Sequence, residues 1–210
     1  MKTFLRFLIG SALCVLLTSC VVTSDNPLSP AETAHADLAL LGDWYSKKDQ
    51  DTYHYTLSSA SWMHVVITHK QTDTGNKPGM IDLKPDEYDF YPTTIGNATY
   101  LNVVLNGKDD QGHPTKSYVF VRYTITTDHV LVRWMMSRDV LAATVRAGKL
   151  KGKVHQDKNP TMVGNPPQPD IDVNLTDTGE NITKFILNSD VYKLFSDQME
   201  PLERVKSAGK

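Results

Sequence analysis

The stretch 99–136 most constrains what this chain can fold into, because its side chains alternate with the period of two that a β-strand imposes. Three segments carry the pattern, at 99–106, 117–126 and 129–136. Leu101, Val103 and Leu105 share one face of the first segment. In the second segment, Val119, Val121, Tyr123 and Ile125 share one face, and Tyr118, Phe120, Arg122 and Thr124 share the other. The last two segments are separated only by a tight turn at Thr127-Asp128, which predicts a β-hairpin.

Shorter strand patterns occur on both sides of this stretch. They lie at Tyr53–Leu57, Trp62–His69, Met80–Leu83, Tyr88–Tyr91, Lys151–His155 and Ile171–Leu175. Glycine and proline residues separate most of them, as expected for turns. A meander of many antiparallel strands is therefore predicted.

Leu38–Leu41 is compatible with the start of a short helix or strand, and the longer helical patterns lie in the second half of the chain. Ser137 is a suitable N-cap for an amphipathic helix at Arg138–Ala147, and Thr178 for one at Gly179–Leu187. A third helix is predicted at Asp190–Ser196, capped by Ser189. The resulting fold class is mainly β (α+β), with an antiparallel curved sheet or partial barrel that is closed or plugged by C-terminal helices.

The first twenty residues have the pattern of a secretory signal. Lys2 and Arg6 precede an apolar run at 7–17, and small residues lead to Cys20. The run is shorter than the roughly 20 residues that a membrane-spanning helix needs. We expect residues 1–19 to be removed, residues 20–37 to form a flexible tether, and residues 38–210 to fold as a single β-rich domain.

Leu17-Thr18-Ser19-Cys20 resembles the lipobox of bacterial lipoproteins. The resemblance implies that the Cys20 thiol receives a diacylglyceryl group and that Cys20 becomes the first mature residue. Two or more acyl chains hold a protein stably on a membrane. Asp at the next position commonly retains such lipoproteins in the inner membrane, so Val21 favours anchoring in the outer membrane, facing the periplasm.

Composition excludes several functional classes. Cys14 lies in the segment that we expect to be removed, so the mature chain would keep only Cys20, whose sulfur carries lipid in this interpretation. No disulfide, thiolate metal site or cysteine nucleophile is then expected. The net charge of −2 gives no indication of nucleic-acid binding.

Leu41-Gly42-Asp43-Trp44 resembles the Gly-x-Trp motif that opens the first strand of lipocalins and of lipocalin-like bacterial lipoproteins. In that family the tryptophan closes the base of the barrel against a basic side chain. Arg133 or Arg138 is the expected stacking partner here. The alternative is that Trp44 is an ordinary core aromatic residue.

Catalytic and metal-binding patterns are not evident. The sequence has no Gly-x-Ser-x-Gly elbow, phosphate loop, Gly-x-Gly-x-x-Gly or His-Glu-x-x-His motif. His64 and His69 are five positions apart, so a strand would place them on opposite faces. His54 would point away from His64 if Leu57 pairs with Trp62. We therefore predict no metal site and no cofactor.

Aromatic and amphipathic residues are the remaining candidates for a ligand cavity. They are Trp62, Tyr118, Phe120, Arg122, Arg133 and Trp134. Alternatively, they form core on one face and a helix-covered surface on the other. The sequence thus favours a non-enzymatic binding or accessory lipoprotein with an envelope protein partner. The alternatives are a lipocalin-like carrier of an apolar molecule or lipid, and an envelope-acting enzyme for which no catalytic residues stand out.

Overall fold

The computed structural model of the chain describes residues 21–70, 85–109, 111–156 and 171–205. The strands are β1 (Thr23–Ser24), β2 (Gly42–Ser46), β3 (Thr52–Leu57), β4 (Met63–Thr68), β5 (Asp86–Ile95), β6 (Ala98–Lys108), β7 (Pro114–Ile125), β8 (Val130–Met135), β9 (Gly152–Gln156), β10 (Ile171–Leu175), β11 (Asp197–Gln198) and β12 (Leu202–Arg204). The helices are α1 (Arg138–Arg146), α2 (Gly179–Leu187) and α3 (Val191–Leu194), and 3-10 turns occupy Ala31–Thr33 and Leu38–Leu40.

Eight of the strands form a closed antiparallel barrel, which confirms the predicted mainly β, lipocalin-like fold class. Strands β2 to β8 follow one another around the barrel in chain order. Strand β12 then pairs with both β2 and β8 and completes the ring. A closed ring has no unpaired edge strands, and its side chains alternate between the interior and the exterior.

Strand β7 connects the barrel to a second, smaller group of strands. Its residues 121–125 pair with β8, while Tyr118, nearer its start, pairs with Ser24 of β1. Strand β1 lies parallel to β10, and β10 pairs with β9. Strand β1 of the second group therefore pairs with the first part of β7, which β8 does not reach.

Two hydrophobic cores result, one on each side of the barrel wall. The inner core lies inside the barrel and includes Trp44, Met63, Phe90, Leu131 and Leu202. The outer core lies between the wall and the helices and includes Tyr100, Phe120, Leu141, Leu175, Ile182 and Phe195. The predicted alternation of β7 is confirmed, since Val119, Val121 and Tyr123 belong to the inner core and Phe120 belongs to the outer one.

The first two predicted helices have nearly the predicted bounds. Thr178 caps α2, and its side chain accepts a hydrogen bond from the backbone of Asn181 at 3.3 Å. The cap of α3 was predicted wrongly. Asp190, rather than Ser189, caps it, because the Asp190 carboxylate accepts from the backbone N–H groups of Tyr192 and Lys193.

The segment 21–37 is packed against the domain, so the predicted tether is wrong over this range. Val22, Leu28 and Ala34 are buried, and Thr23–Ser24 is a strand of the sheet. The Leu28 backbone donates to the Asn102 side chain at 2.8 Å. The apolar residues of this segment follow neither a helical nor a strand period, and periodicity therefore did not reveal their burial.

Strand β5 also differs from the prediction. It extends to Ile95 and contains Pro92, although proline was expected to end the strand at Tyr91. The pairing of β5 with β4 ends at Phe90, whereas its pairing with β6 continues to Ile95. Beyond Phe90 one side of the strand has no pairing partner among the described residues, and proline is tolerated there. The predicted strand Met80–Leu83 lies outside the described residues.

Candidate functional site

Trp44 closes one end of the barrel. Its side chain is 0% exposed, and its Nε1–H donates to the Leu40 carbonyl at 2.7 Å. The Arg204 guanidinium lies over the indole, 4.5 Å from the ring centroid. Arg204 also donates to the Leu41 carbonyl at 3.0 Å and to the Ala39 carbonyl. A large apolar plug and a cation thus seal this base.

The cation over Trp44 is not one of the two that the sequence suggested. Arg133 lies instead over the Tyr53 ring, with 4.7 Å between its Cζ and the centroid, and Arg138 begins α1. Arg204 comes from β12, a three-residue strand with too little alternation to be recognised. Gly42 begins β2 with φ of +106°, which favours glycine and explains its place before the plug.

The other part of the barrel interior holds a cavity of about 270 Å³. Its lining is almost wholly apolar and comes from strands β3 to β8, with Val21 and Met199 added from outside the strands: Val21, Tyr53, Tyr55, Val65, Ile67, Tyr88, Phe90, Leu101, Val103, Leu105, Val119, Val121, Arg133, Met135 and Met199. Half-buried lining residues mark the mouth of the cavity, among them Ile67, Tyr88, Leu105 and Met199. An apolar cavity of roughly 150 Å³ is large enough for benzene, so this one fits a larger apolar group.

Arg133 is the one charged residue in this lining among the described residues. It is 5% exposed, and its Nη2 donates to the Glu200 carbonyl at 3.1 Å. Its Nε is buried without a hydrogen-bond partner among the residues that the structure describes. The cavity therefore combines an apolar wall with a cationic donor.

Two tyrosines of the lining have a pKa raised above the ordinary value. Burial raises the pKa of Tyr55, while the charge of Arg133 and a hydrogen bond from it act in the opposite direction. Burial also raises the pKa of Tyr88, as does the charge of Asp86. These phenols stay protonated near neutral pH and can donate hydrogen bonds.

Only one of the six predicted cavity residues lines the barrel cavity, namely Arg133. The other five lie outside it: Phe120 is in the outer core, Arg122 lies between the Trp134 and Tyr192 rings at 4.9 and 5.0 Å, and Trp62 and Tyr118 flank Lys116. Tyr118 and Trp134 pack against the outer core, to which Phe120 belongs. The sequence prediction assigned the cavity to the more aromatic face of β7, but the helices cover that face.

The true lining could have been found from the aliphatic face. Leu101, Val103 and Leu105 of β6 and Val119 and Val121 of β7 had been placed on common faces, and all five line the cavity. Tyr53 and Tyr55 share a face of β3 by the same period of two. Met199 and Val21 lie outside any regular pattern, so no sequence signal identified them.

Histidine–carboxylate pairs occupy the outside of the barrel. His64 contacts Asp89 at 2.9 Å, and His69 contacts Asp51 and Asp86, each at 3.1 Å. Leu57 pairs with Met63 rather than Trp62, so His54 and His64 share a face, contrary to the prediction made for the other register. Within the described residues, no three His, Cys, Asp or Glu side chains come together as metal ligands would.

Comparison with known proteins adds no relative. Neither a family model, nor a curated protein, nor a solved structure matches the chain. Across residues 21–70, 85–109, 111–156 and 171–205, no helix is both long and apolar enough to cross a bilayer.

Proposed function

We propose that this protein is a lipid-anchored, non-enzymatic binding protein of the cell envelope that holds an apolar molecule or lipid in its barrel. The observation that carries the proposal is the apolar cavity of about 270 Å³, sealed at the base by Trp44. Small-molecule sites are typically concave and mostly apolar, with a few polar groups, and have volumes of roughly 300–1,000 Å³. The cavity volume lies slightly below this range.

The position of Val21 supports a link between the anchor and the cavity. Val21 lines the cavity and is 37% exposed, and the next residues are held in strand β1. Cys20, the proposed site of lipidation, immediately precedes Val21. A lipid on Cys20 would hold the cavity beside the membrane surface, which suits exchange of apolar molecules with the bilayer. The outer membrane, facing the periplasm, remains the proposed location because Val21 follows the cysteine.

Native mass spectrometry tests the carrier function. The mature chain with Cys20→Ser, secreted to a bacterial periplasm, is expected to carry a small apolar molecule in one-to-one stoichiometry. Val119→Phe adds a ring inside the cavity and should reduce this occupancy, whereas Thr124→Phe adds the same ring on the exposed side of β7 and should not. An empty protein in all three forms would contradict the carrier function and favour an accessory role with an envelope protein partner.

A further inference from the structure

The buried Arg133 is an unusual component of an apolar barrel. It is 5% exposed, lines the cavity, and has its Nε–H unpaired among the described residues. Its contacts are the Glu200 carbonyl, the face of Tyr53 and the hydroxyl of Tyr55. In the part of the chain that the structure describes, it forms no ion pair with a carboxylate.

Burial of the Arg133 guanidinium is energetically unfavourable unless an opposite charge pairs with it. A guanidinium does not lose its proton in proteins, so it cannot escape burial by becoming neutral. An unpaired charge with an unsatisfied donor is strongly disfavoured when it is removed from water. The interaction with an opposite charge is also much stronger in such surroundings than in water. An anion inside the cavity would therefore be bound strongly.

We propose that Arg133 binds the anionic head of a single-chain amphiphile whose apolar tail fills the barrel cavity. This inference rests on the proposed carrier function and specifies its ligand class. Among anionic heads, a carboxylate matches the guanidinium best, because two oxygens can accept from adjacent N–H groups of the planar fork. The Tyr53 ring packs against the guanidinium, with its centroid 4.7 Å from Cζ.

The dimensions of the cavity favour one chain. Its volume of about 270 Å³ is small for a site that would enclose the two chains of a phospholipid. Apart from Arg133, the lining consists of aliphatic, aromatic and methionine side chains, which suit a hydrocarbon tail. One charge and one apolar wall are complementary to a long-chain carboxylate.

The test compares two probes of equal chain length, dodecanoate and dodecanol, by titration calorimetry on the mature chain with Cys20→Ser. A charge-assisted hydrogen bond is worth enough to give at least a tenfold difference in Kd, so dodecanoate should bind at least about tenfold more tightly. Arg133→Met should abolish this preference while retaining dodecanol binding. Arg122→Met is the matched control, since Arg122 lies on the outer face, and it should leave the preference unchanged.

The outcomes separate this inference from the carrier function. Equal binding of both probes, blocked by Val119→Phe, would overturn the anion site and retain the carrier. A preference that persists in Arg133→Met would also overturn the anion site. Binding of neither probe would overturn both proposals. If Arg133→Met fails to fold, the test uses the chain that retains Arg133. Its ¹⁵Nε resonance must shift when dodecanoate is added and not when dodecanol is added. A resonance indifferent to dodecanoate would refute the assignment.

Discussion

Replacing the base plug by alanine should destabilise the protein strongly. Trp44 is fully buried, its indole N–H is bonded to the Leu40 carbonyl, and Arg204 lies over its ring. Trp44→Ala removes all three interactions and leaves an empty space at the base of the inner core. It is therefore a stringent test of the proposed closure.

The size of the effect can be estimated from these contacts. Truncation of a buried aromatic residue to alanine costs about 3–5 kcal/mol. The lost hydrogen bond adds about 1 kcal/mol, and the lost cation–π contact adds about 0.5–2 kcal/mol. Because such terms overlap, we expect a decrease of about 4–6 kcal/mol in the free energy of unfolding. A domain of typical stability, about 5–15 kcal/mol, would lose much of its stability.

Urea denaturation measures this change by linear extrapolation. Trp62→Ala is the matched control, because Trp62 is only half-buried and packs edge-on against Tyr91 at 4.8 Å. The control should cost markedly less than Trp44→Ala. A free energy of unfolding for Trp44→Ala within about 1 kcal/mol of that of the unsubstituted protein would refute the reasoning, because truncation of a buried aromatic residue destabilises a protein by more than this.

Three other substitutions test separate parts of the account. Gly179→Ala should destabilise the protein in urea, although alanine is the better helix former by about 1 kcal/mol, because the added Cβ would lie 2.0 Å from the Pro27 carbonyl oxygen. His69→Gln should reduce stability more at about pH 5 than at about pH 8. The hydrogen bond to Asp86 raises the pKa of folded His69, so the stabilisation is complete below the unfolded pKa of about 6.5 and is lost as pH rises through the folded value. Cys20→Ser should move the protein from the membrane fraction to the soluble fraction.

Contradictory results for these three are equally clear. A stabilised Gly179→Ala variant would mean that segment 21–37 is not packed on α2. The stability change caused by His69→Gln should depend on pH and exceed that of His155→Gln on the exposed face of β9. A change that is independent of pH, or equal to that of His155→Gln, would contradict the role of the carboxylate partners. A membrane-bound, normally processed Cys20→Ser protein would contradict the lipid anchor.

Local patterns in the sequence were sufficient for most of the strands and for two helices. The alternation in 117–126 is strong because successive side chains point alternately toward the inner and the outer core. Thr178 is recognisable as an N-cap because its hydroxyl accepts a hydrogen bond from the first turn of α2. These features depend on neighbouring residues only. They can therefore be inferred without knowledge of the distant contacts.

Barrel closure was only partly predictable because it depends on long-range pairing. Leu202–Arg204 is too short to show a period, yet it completes the ring and supplies Arg204. The apolar residues on both faces of β7 likewise left the cavity side ambiguous, since helices bury the more aromatic face. Val22 and Leu28 have no periodic context, so their packing also depends on contacts distant in sequence.

The proposed carrier function requires that an apolar ligand occupy the barrel interior. Its most direct test is the measurement of intermolecular nuclear Overhauser effects between the methylene protons of dodecanoate and the methyl groups of the mature Cys20→Ser chain. We expect contacts with Val119 and Val121, whose side chains line the cavity. Contacts confined to exposed apolar residues such as Leu187 and Tyr192 would contradict it.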